Sequence, residues 1–292
     1  MKKLKNIEFI IGIGVGYGEI LTGGVVALHK LAYEIANRGY KVNIFTSPVY
    51  PHENIYTQDR KKFVTPNLNL IENLDFNFDP KRTFIIPPFD WNNTQNYPNI
   101  CRWVLHHLDD HIIRNVKSID KIYNFGNFDL CGLKEDGKLT TLEYHKDLFK
   151  NENRTRNGKV CYLLNKYTPP YAEKILKLLN ADSLQHWKQN GAFNFLKEKF
   201  NEYEYFVTFD SKTFHTLAAA MCGCKSIILQ NELNPEVYRE LNPLQKYGVA
   251  YGIDDLAHAE QTLNKVSEQV EFLIGEDNKT IDNFIKNCIE TL

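Results

Sequence analysis

The chain has 292 residues, of which 43% are hydrophobic and 24% charged, and its formal net charge is -1. This length allows one large domain or two of ordinary size, and the composition is that of a globular protein. Because the charge is balanced, the chain has no general positive field to attract nucleic acid, and we expect no nucleic-acid partner.

The six cysteines are scattered, apart from Cys222 and Cys224. One intervening residue is too few for a zinc site and no second pair completes one, so we predict no metal and a reducing, cytoplasmic setting. The first fifteen residues resemble a signal peptide, but their apolar run is short, broken by glycines and preceded by Glu8, which favours a first strand. No apolar stretch is long enough to span a bilayer, and we expect at most peripheral contact with the inner face of the membrane.

The first fifty residues predict the start of a doubly wound α/β domain. A strand at 7–13 leads through a glycine-rich turn to an amphipathic helix at 25–37 and a strand at 41–46. A Gly-x-Gly-x-x-Gly frame that starts at Gly12 would need glycine where Tyr17 stands. Ser47 and Pro48 follow the second strand in place of an acidic residue, so the pattern disfavours NAD binding.

Further strands are predicted at 82–87, 102–105 and 121–125, and residues 50–80 are predicted as loops with short strands. Because Pro87 and Pro88 end the first of these, that strand lies at an edge or terminates there. A polar cluster, His106, His107 and Asp109, follows the second. These adjacent residues cannot all face one metal ion, and a polar helix start exposed to water explains the cluster as well as a catalytic role does.

The second half begins near residue 142. An apolar strand at 159–164 is followed by Asn165 and Lys166, and helices are predicted at 171–179, 193–200, 256–273 and 281–289. Lys166 could supply a positive charge to a phosphate group, although a lysine that only faces solvent explains the position equally well.

The most informative segment is 205–229. It predicts a strand at 205–209, a polar turn, a short helix, a glycine turn at Gly223 and an extended run at 226–229. We expect Asp210 or Ser211 to cap the helix. The turn offers backbone N–H groups, two hydroxyls and Lys212 at the carboxyl edge of a parallel strand, which is a place to bind a phosphate.

This segment resembles the donor-binding segment of GT-B glycosyltransferases, whose retaining members carry Glu-x7-Glu before an Ala-Met-x-x-Gly turn. Asp210 stands at the first acidic position, but Ala218 stands at the second, so the second carboxylate is absent. The Gly23-Gly24 turn and the segment 248–255 also resemble this family, in particular its bacterial surface-polysaccharide and lipopolysaccharide enzymes.

The resemblance implies the α/β GT-B fold, with two Rossmann-like doubly wound domains facing across a cleft. It implies an acceptor domain at 1–140, a donor domain at 141–275 and a C-terminal helix at 276–292 that packs back on the first domain. The implied reaction is the metal-independent transfer of a hexosyl or deoxyhexosyl group to a glycan or lipid-linked glycan in cell-surface polysaccharide synthesis. The nucleotide-diphosphate sugar is then a substrate, and no cofactor is expected.

The resemblance also implies roles for particular residues. The donor-binding residues would be Gly23, Gly24, Asn165, Lys166, Ser211, Lys212 and Thr213. The catalytic residues would be His106, His107, Asp109 and Asp210. Two alternatives stay open: an NAD-dependent or nucleotide-sugar-modifying Rossmann enzyme, and a non-catalytic sugar-binding descendant of the fold.

Overall fold

The structure is a computed structural model, and it describes residues 7–14, 23–47, 68–70, 78–87, 97–106, 108, 113–114, 116–164, 168–229 and 234–292. The chain divides into two compact units. The first unit comprises Met1–Glu143 and Ile274–Leu292, and the second comprises Tyr144–Leu273.

The first unit contains a parallel sheet of Rossmann type. Its strands are β1 (Glu8–Gly14), β2 (Lys41–Ser47), β3 (Leu68–Leu70), β4 (Thr83–Ile86), β5 (Cys101–Val104), β6 (Lys121–Asn124) and β7 (Gly137–Lys138). They pair in the orders β3-β2-β1-β4 and β5-β6-β7, and a parallel bridge between Ile85 and Ile100 joins the two groups. The combined strand order, β3-β2-β1-β4-β5-β6-β7, contains the Rossmann order of six strands. The direction in which successive strands are added to the sheet reverses between β1 and β4.

The second unit contains a parallel sheet with a different order. Its strands are β8 (Val160–Tyr162), β9 (Asp182–Ser183), β10 (Tyr205–Thr208), β11 (Lys225–Ile228) and β12 (Val249–Tyr251). They pair in the order β12-β11-β10-β8-β9. The chain therefore passes from β8 out to β9 and returns to the other side of β8 as β10. This reversal places the topological switch point between β8 and β10, where open α/β sheets bind ligands outside the carboxyl ends of the strands.

Helices connect or follow these strands. They are α1 (Gly23–Asn37), α2 (Ala172–Leu178), α3 (Ala192–Glu202), α4 (Phe214–Met221), α5 (Pro235–Leu241), α6 (Leu256–Thr262) and α7 (Val266–Ile289). Short 3-10 turns lie at Pro243–Gln245, Ile253–Asp255 and Leu263–Lys265. Among the helices of the described residues, none combines the length and apolarity needed to cross a bilayer.

The core of the first unit is formed by α1, the sheet and the C-terminal part of α7. Leu31 of α1 is buried because the apolar residues of that helix recur at helical spacing. Phe9 stacks on Phe84 with 5.6 Å between ring centroids, and Phe284 of α7 lies 6.0 Å from Phe9. Phe284 also meets Tyr123 of β6 edge to face at 4.8 Å. Aromatic pairs therefore fasten the end of the chain to the centre of this sheet.

In the second unit, α4 packs closely because its middle is built from alanines. Ala218, Ala219 and Ala220 are at most 2% exposed. The helix ends as predicted at Gly223, whose φ of +80° lies in the left-handed region. Gly223 N–H donates to Ala220 O at 2.9 Å, and the chain then enters β11.

Several strands lie within one residue of the predicted bounds. The strand expected at 82–87 terminates before Pro87, which is one of the two predicted alternatives, and β4 lies inside the sheet. One prediction about the helices was wrong. The helices expected at 256–273 and 281–289 are divided differently, because α7 runs without a break from Val266 to Ile289. Two polar residues in the middle of α7 form hydrogen bonds with the backbone near residue 140 of the first unit. Asp277 Oδ2 accepts from Leu142 N–H at 3.0 Å, and Thr280 Oγ1 accepts from Thr140 N–H at 2.9 Å.

Candidate functional site

The candidate site lies in the second unit, at the turn between β10 and α4. Asp210 Oδ1 accepts from Lys212 N–H at 2.9 Å, and Asp210 N–H donates to Thr208 Oγ1 at 3.2 Å. Thr213 is extended, and its Oγ1 accepts from His215 N–H at 3.3 Å. The sequence predicted Asp210 or Ser211 as the helix cap. The cap is instead Thr213, because the turn continues to Lys212 before the helix begins. Asp210 instead fixes the shape of that turn.

The turn presents polar groups beside the first turn of α4. Asp210 and Ser211 are half-buried, Lys212 is exposed and Thr213 is buried. The start of a helix carries a partial positive charge and N–H groups without intrahelical partners. With the Ser211 hydroxyl and the Lys212 ammonium group nearby, the arrangement suits an anion such as a phosphate.

The register of the sheet sets the surroundings of this turn. Val207 of β10 lies opposite Tyr162 of β8, and Thr208 lies opposite Ile228 of β11. Because these strands are parallel, their carboxyl ends meet at one edge of the sheet. The segment after Leu164 and the turn after Phe209 thus start from adjacent strands, on either side of the switch point.

Side chains from the segment after α5 bind the same turn. Asn242 Nδ2 donates to Ser211 O at 2.8 Å, and Gln245 Nε2 donates to Thr216 Oγ1 at 2.9 Å. Tyr251 OH donates to Gln245 Oε1 at 2.7 Å. Sequence reasoning missed these three residues. The only signal was that Tyr251 lies within the segment 248–255, which resembles the family.

A neutral histidine lies at the start of α4. His215 Nδ1 is 3.0 Å from Thr213 Oγ1, and the ring meets Trp187 edge to face at 5.3 Å. Trp187 in turn stacks on Phe193 at 5.4 Å. Burial, together with the nearby Lys188 cation, lowers the pKa of His215 to about 4. The imidazole is therefore uncharged at neutral pH.

In the first unit, the structure describes Gly23 and Gly24, which were predicted to bind the donor, and His106, which was predicted to be catalytic. Gly23 begins α1, and a Cβ on Gly24 would meet Leu105 Cδ1 at 3.8 Å, which is an ordinary contact. His106 follows Leu105 and is exposed. The structure thus places Gly24 close to the segment that carries His106.

The other predicted site residues, Asn165, Lys166, His107 and Asp109, lie outside the described residues. Within the part of the chain that is described, no group of three or more His, Cys, Asp or Glu side chains is placed to hold a metal ion.

Comparisons with known proteins show the fold. No protein-family model matches the chain, and no curated protein sequence matches it. Sucrose-phosphate synthase from Thermosynechococcus elongatus has a similar structure, with a TM-score of 0.54 and 12% identity over 98% of this chain and 100% of that chain. A glycosyltransferase from Rickettsia africae gives a TM-score of 0.48 and 10% identity over 95% and 94% of the two chains. The glycotransferase of kitacinnamycin gives a TM-score of 0.41 and 8% identity over 97% of this chain and 96% of that chain.

The similarity to the synthase covers 98% of this chain and 100% of the synthase chain, and it is a similarity of fold. The sheets of the described residues are parallel, and in each unit the strand order has the reversal that marks a doubly wound domain. The chain therefore has the α/β GT-B fold, built from Rossmann-like units.

Proposed function

We propose that the protein is a glycosyltransferase that binds a nucleotide-diphosphate sugar at the carboxyl edge of the second unit's sheet. The observation that carries this proposal is the position of the turn between β10 and α4. It adjoins the switch point between β8 and β10 in a chain with the GT-B fold. In such a sheet, this is where a ligand with a charged diphosphate finds helix N–H groups and polar side chains together.

The proposed chemistry at this edge is stabilisation of the leaving diphosphate. As the glycosidic bond breaks, negative charge accumulates on the diphosphate oxygens, and groups that bind this charge lower the barrier. Ser211 donates through its hydroxyl, while Lys212 and Lys166 supply cations, each worth about 1.5–3 kcal/mol in a charge-assisted hydrogen bond. Asp210 accepts from a hydroxyl of the donor sugar, because a carboxylate would repel phosphate.

The first unit is the proposed acceptor side. An inverting transfer needs a general base to take the proton of the acceptor hydroxyl, and His106, His107 or Asp109 is assigned this task. Gly23 and Gly24 are assigned to the donor instead, because glycines let the backbone at the start of α1 approach a ligand closely. We extend the proposal, from the sequence resemblance, to hexosyl or deoxyhexosyl transfer onto a glycan or lipid-linked glycan of the cell surface, without a metal, on the cytoplasmic side of the membrane.

The test is a binding experiment with UDP, GDP, ADP and dTDP. We expect one of them to raise the free energy of unfolding by about 2.7 kcal/mol at a hundred-fold excess over its dissociation constant. Lys166→Ala should weaken that nucleotide about ten-fold, which corresponds to about 1.4 kcal/mol. The matched control is Lys174→Ala, at an exposed lysine of α2. If none of the four nucleotides binds, the proposal is contradicted. If both lysine variants bind the nucleotide with equal affinity, the role of Lys166 is contradicted.

A second candidate is a sugar-nucleotide-binding protein without transferase activity. Ala218, at the second acidic position of the family pattern, is fully buried, so α4 offers no carboxylate there. The two candidates separate in one assay. A transferase releases nucleoside diphosphate from its donor when an acceptor glycan is added, whereas a binding protein releases none.

A further inference from the structure

We infer that Gln245 is a positioning residue that holds the donor-binding turn in the shape needed for a diphosphate, with Tyr251 and Asn242 orienting its amide. This inference rests on the proposed function. Gln245 touches no expected substrate atom, since its side chain is only 1% exposed, and it acts through the backbone and hydroxyl groups of α4.

The hydrogen bonds of Gln245 fix which way its amide points. Oε1 accepts from Tyr251 OH at 2.7 Å and from Asn242 Nδ2 at 2.9 Å. Nε2 donates to Thr216 Oγ1 at 2.9 Å and approaches Thr213 O at 3.4 Å. Two donors and two acceptors are the full capacity of a glutamine side chain. Because both partners of Oε1 are donors, the NH2 group faces α4.

This amide and its neighbours bind the carbonyl groups of the turn. Thr213 O accepts a hydrogen bond from Thr216 Oγ1 at 2.9 Å, in addition to the contact with Gln245. Ser211 O accepts from Asn242 Nδ2 at 2.8 Å. Thr216 O accepts from Ser226 Oγ of β11 at 2.8 Å. The turn is therefore held to the rest of the second unit through its acceptors.

Holding the acceptors sets the direction of the donors. In a trans peptide, the C=O of one residue and the N–H of the next point in opposite directions across one plane. Anchoring Thr213 O therefore aims the N–H of Phe214, the first residue of α4, away from the network and outward from the helix start. Donors held in place before the substrate arrives need no reorganisation when charge develops, which is how a fixed anion site gains its effect.

The experiment compares Gln245→Glu and Tyr251→Phe with the wild-type chain, using the nucleoside diphosphate that binds best and its monophosphate. Gln245→Glu replaces a donor by an acceptor beside Thr213 O and adds negative charge, so we expect at least ten-fold weaker diphosphate binding. Tyr251→Phe removes one hydroxyl and should cost about three-fold. In steady-state assays the KM for the donor should rise more than kcat falls, and the monophosphate should be affected less than the diphosphate.

A matched control is Asn201→Ala. Asn201 is a fully buried amide that donates to Lys150 O at 3.1 Å and accepts from Glu152 N–H at 2.8 Å, away from the turn. Its loss should lower the melting temperature without changing nucleotide affinity, which shows that general destabilisation does not mimic the effect. If Gln245→Glu does not fold, the diphosphate affinity of Tyr251→Phe tests the inference. Folded variants with wild-type affinity for the diphosphate would overturn the inference, whereas a wild-type chain that binds no nucleoside diphosphate would overturn the proposed function.

Discussion

At the scale of single residues, the start of α4 is shaped by Thr213, which the sequence analysis placed among the donor-binding residues, and by His215. Thr213 caps the helix, and His215 is held beside it by hydrogen bonding and by the ring of Trp187. Because burial opposes the charged imidazole, the folded protein binds a proton at this position less readily than the unfolded chain does.

This difference predicts how stability depends on pH. The pKa of His215 is about 4 in the folded protein, against an ordinary value of about 6.5. Its contribution to stability is therefore complete above pH 6.5 and is lost as the pH falls towards 4. After allowance for the partial exposure of the ring, we expect a loss of about 1 kcal/mol between pH 7 and pH 5. Urea unfolding at both pH values should show this loss in the wild type and less of it in His215→Asn; an equal loss in both would contradict the prediction.

Gly223 is required by both its backbone and its surroundings. Its φ is +80°, and a Cβ there would lie 2.6 Å from Asn151 Nδ2 and 2.8 Å from Arg156 Nη2. Gly158 has a similar φ of +70°, but a Cβ there would meet nothing within 4 Å among the described atoms. We therefore expect Gly158→Ala to cost about 1–2 kcal/mol, the penalty of a left-handed residue, and Gly223→Ala to cost clearly more. Thermal unfolding measures both, and equal losses would show that the clash is relieved by movement of the two side chains.

At the scale of elements, α7 is the one that the sequence predicted least well. The stretch around Gly275 and Glu276 is polar and carries a glycine, so it reads as a break between two helices. It is helical because Asp277 and Thr280 find partners in the chain near residues 140–142, which no local pattern reveals. Tertiary contacts here override weak local propensity.

The continuity of α7 can be tested at its glycine. Gly275 has no positive φ, and a Cβ at this position would meet nothing within 4 Å among the described atoms. Gly275→Ala should therefore stabilise the protein by about 0.5–1 kcal/mol, since glycine is a poor helix former. Differential scanning calorimetry would show this as a higher melting temperature. A lower melting temperature would mean that the helix is interrupted at this residue.

Other elements differ in how far the sequence could predict them. β10 and β11 are apolar and end at clear turn signals, and they lie within one residue of the predicted bounds. β7 and β9 contain only Gly137–Lys138 and Asp182–Ser183, residues that rarely favour strands, and they pair because the neighbouring strand is already in place. The short helix α5, Pro235–Leu241, was not predicted either, since seven residues give little periodicity.

At the scale of the whole molecule, the sequence predicted the GT-B fold and the turn at Asp210–Thr213, but not what holds that turn. The turn was found because strand, polar residues and helix follow one another directly. Gln245 lies 29 residues from Thr216, and a glutamine in a polar loop carries no sign of burial. Hydrogen-bond networks of this kind depend on three-dimensional proximity alone, so a single sequence cannot reveal them.

The central claim is that the carboxyl edge of the second unit's sheet binds the diphosphate of a sugar nucleotide. The most direct measurement is a crystal structure of the protein soaked with the nucleoside diphosphate that binds best. The account predicts phosphate oxygens within hydrogen-bonding distance of Ser211 or Phe214 N–H and of Lys166. A nucleotide bound instead at the glycine turn after β1 of the first unit would contradict it and favour a dinucleotide-dependent enzyme.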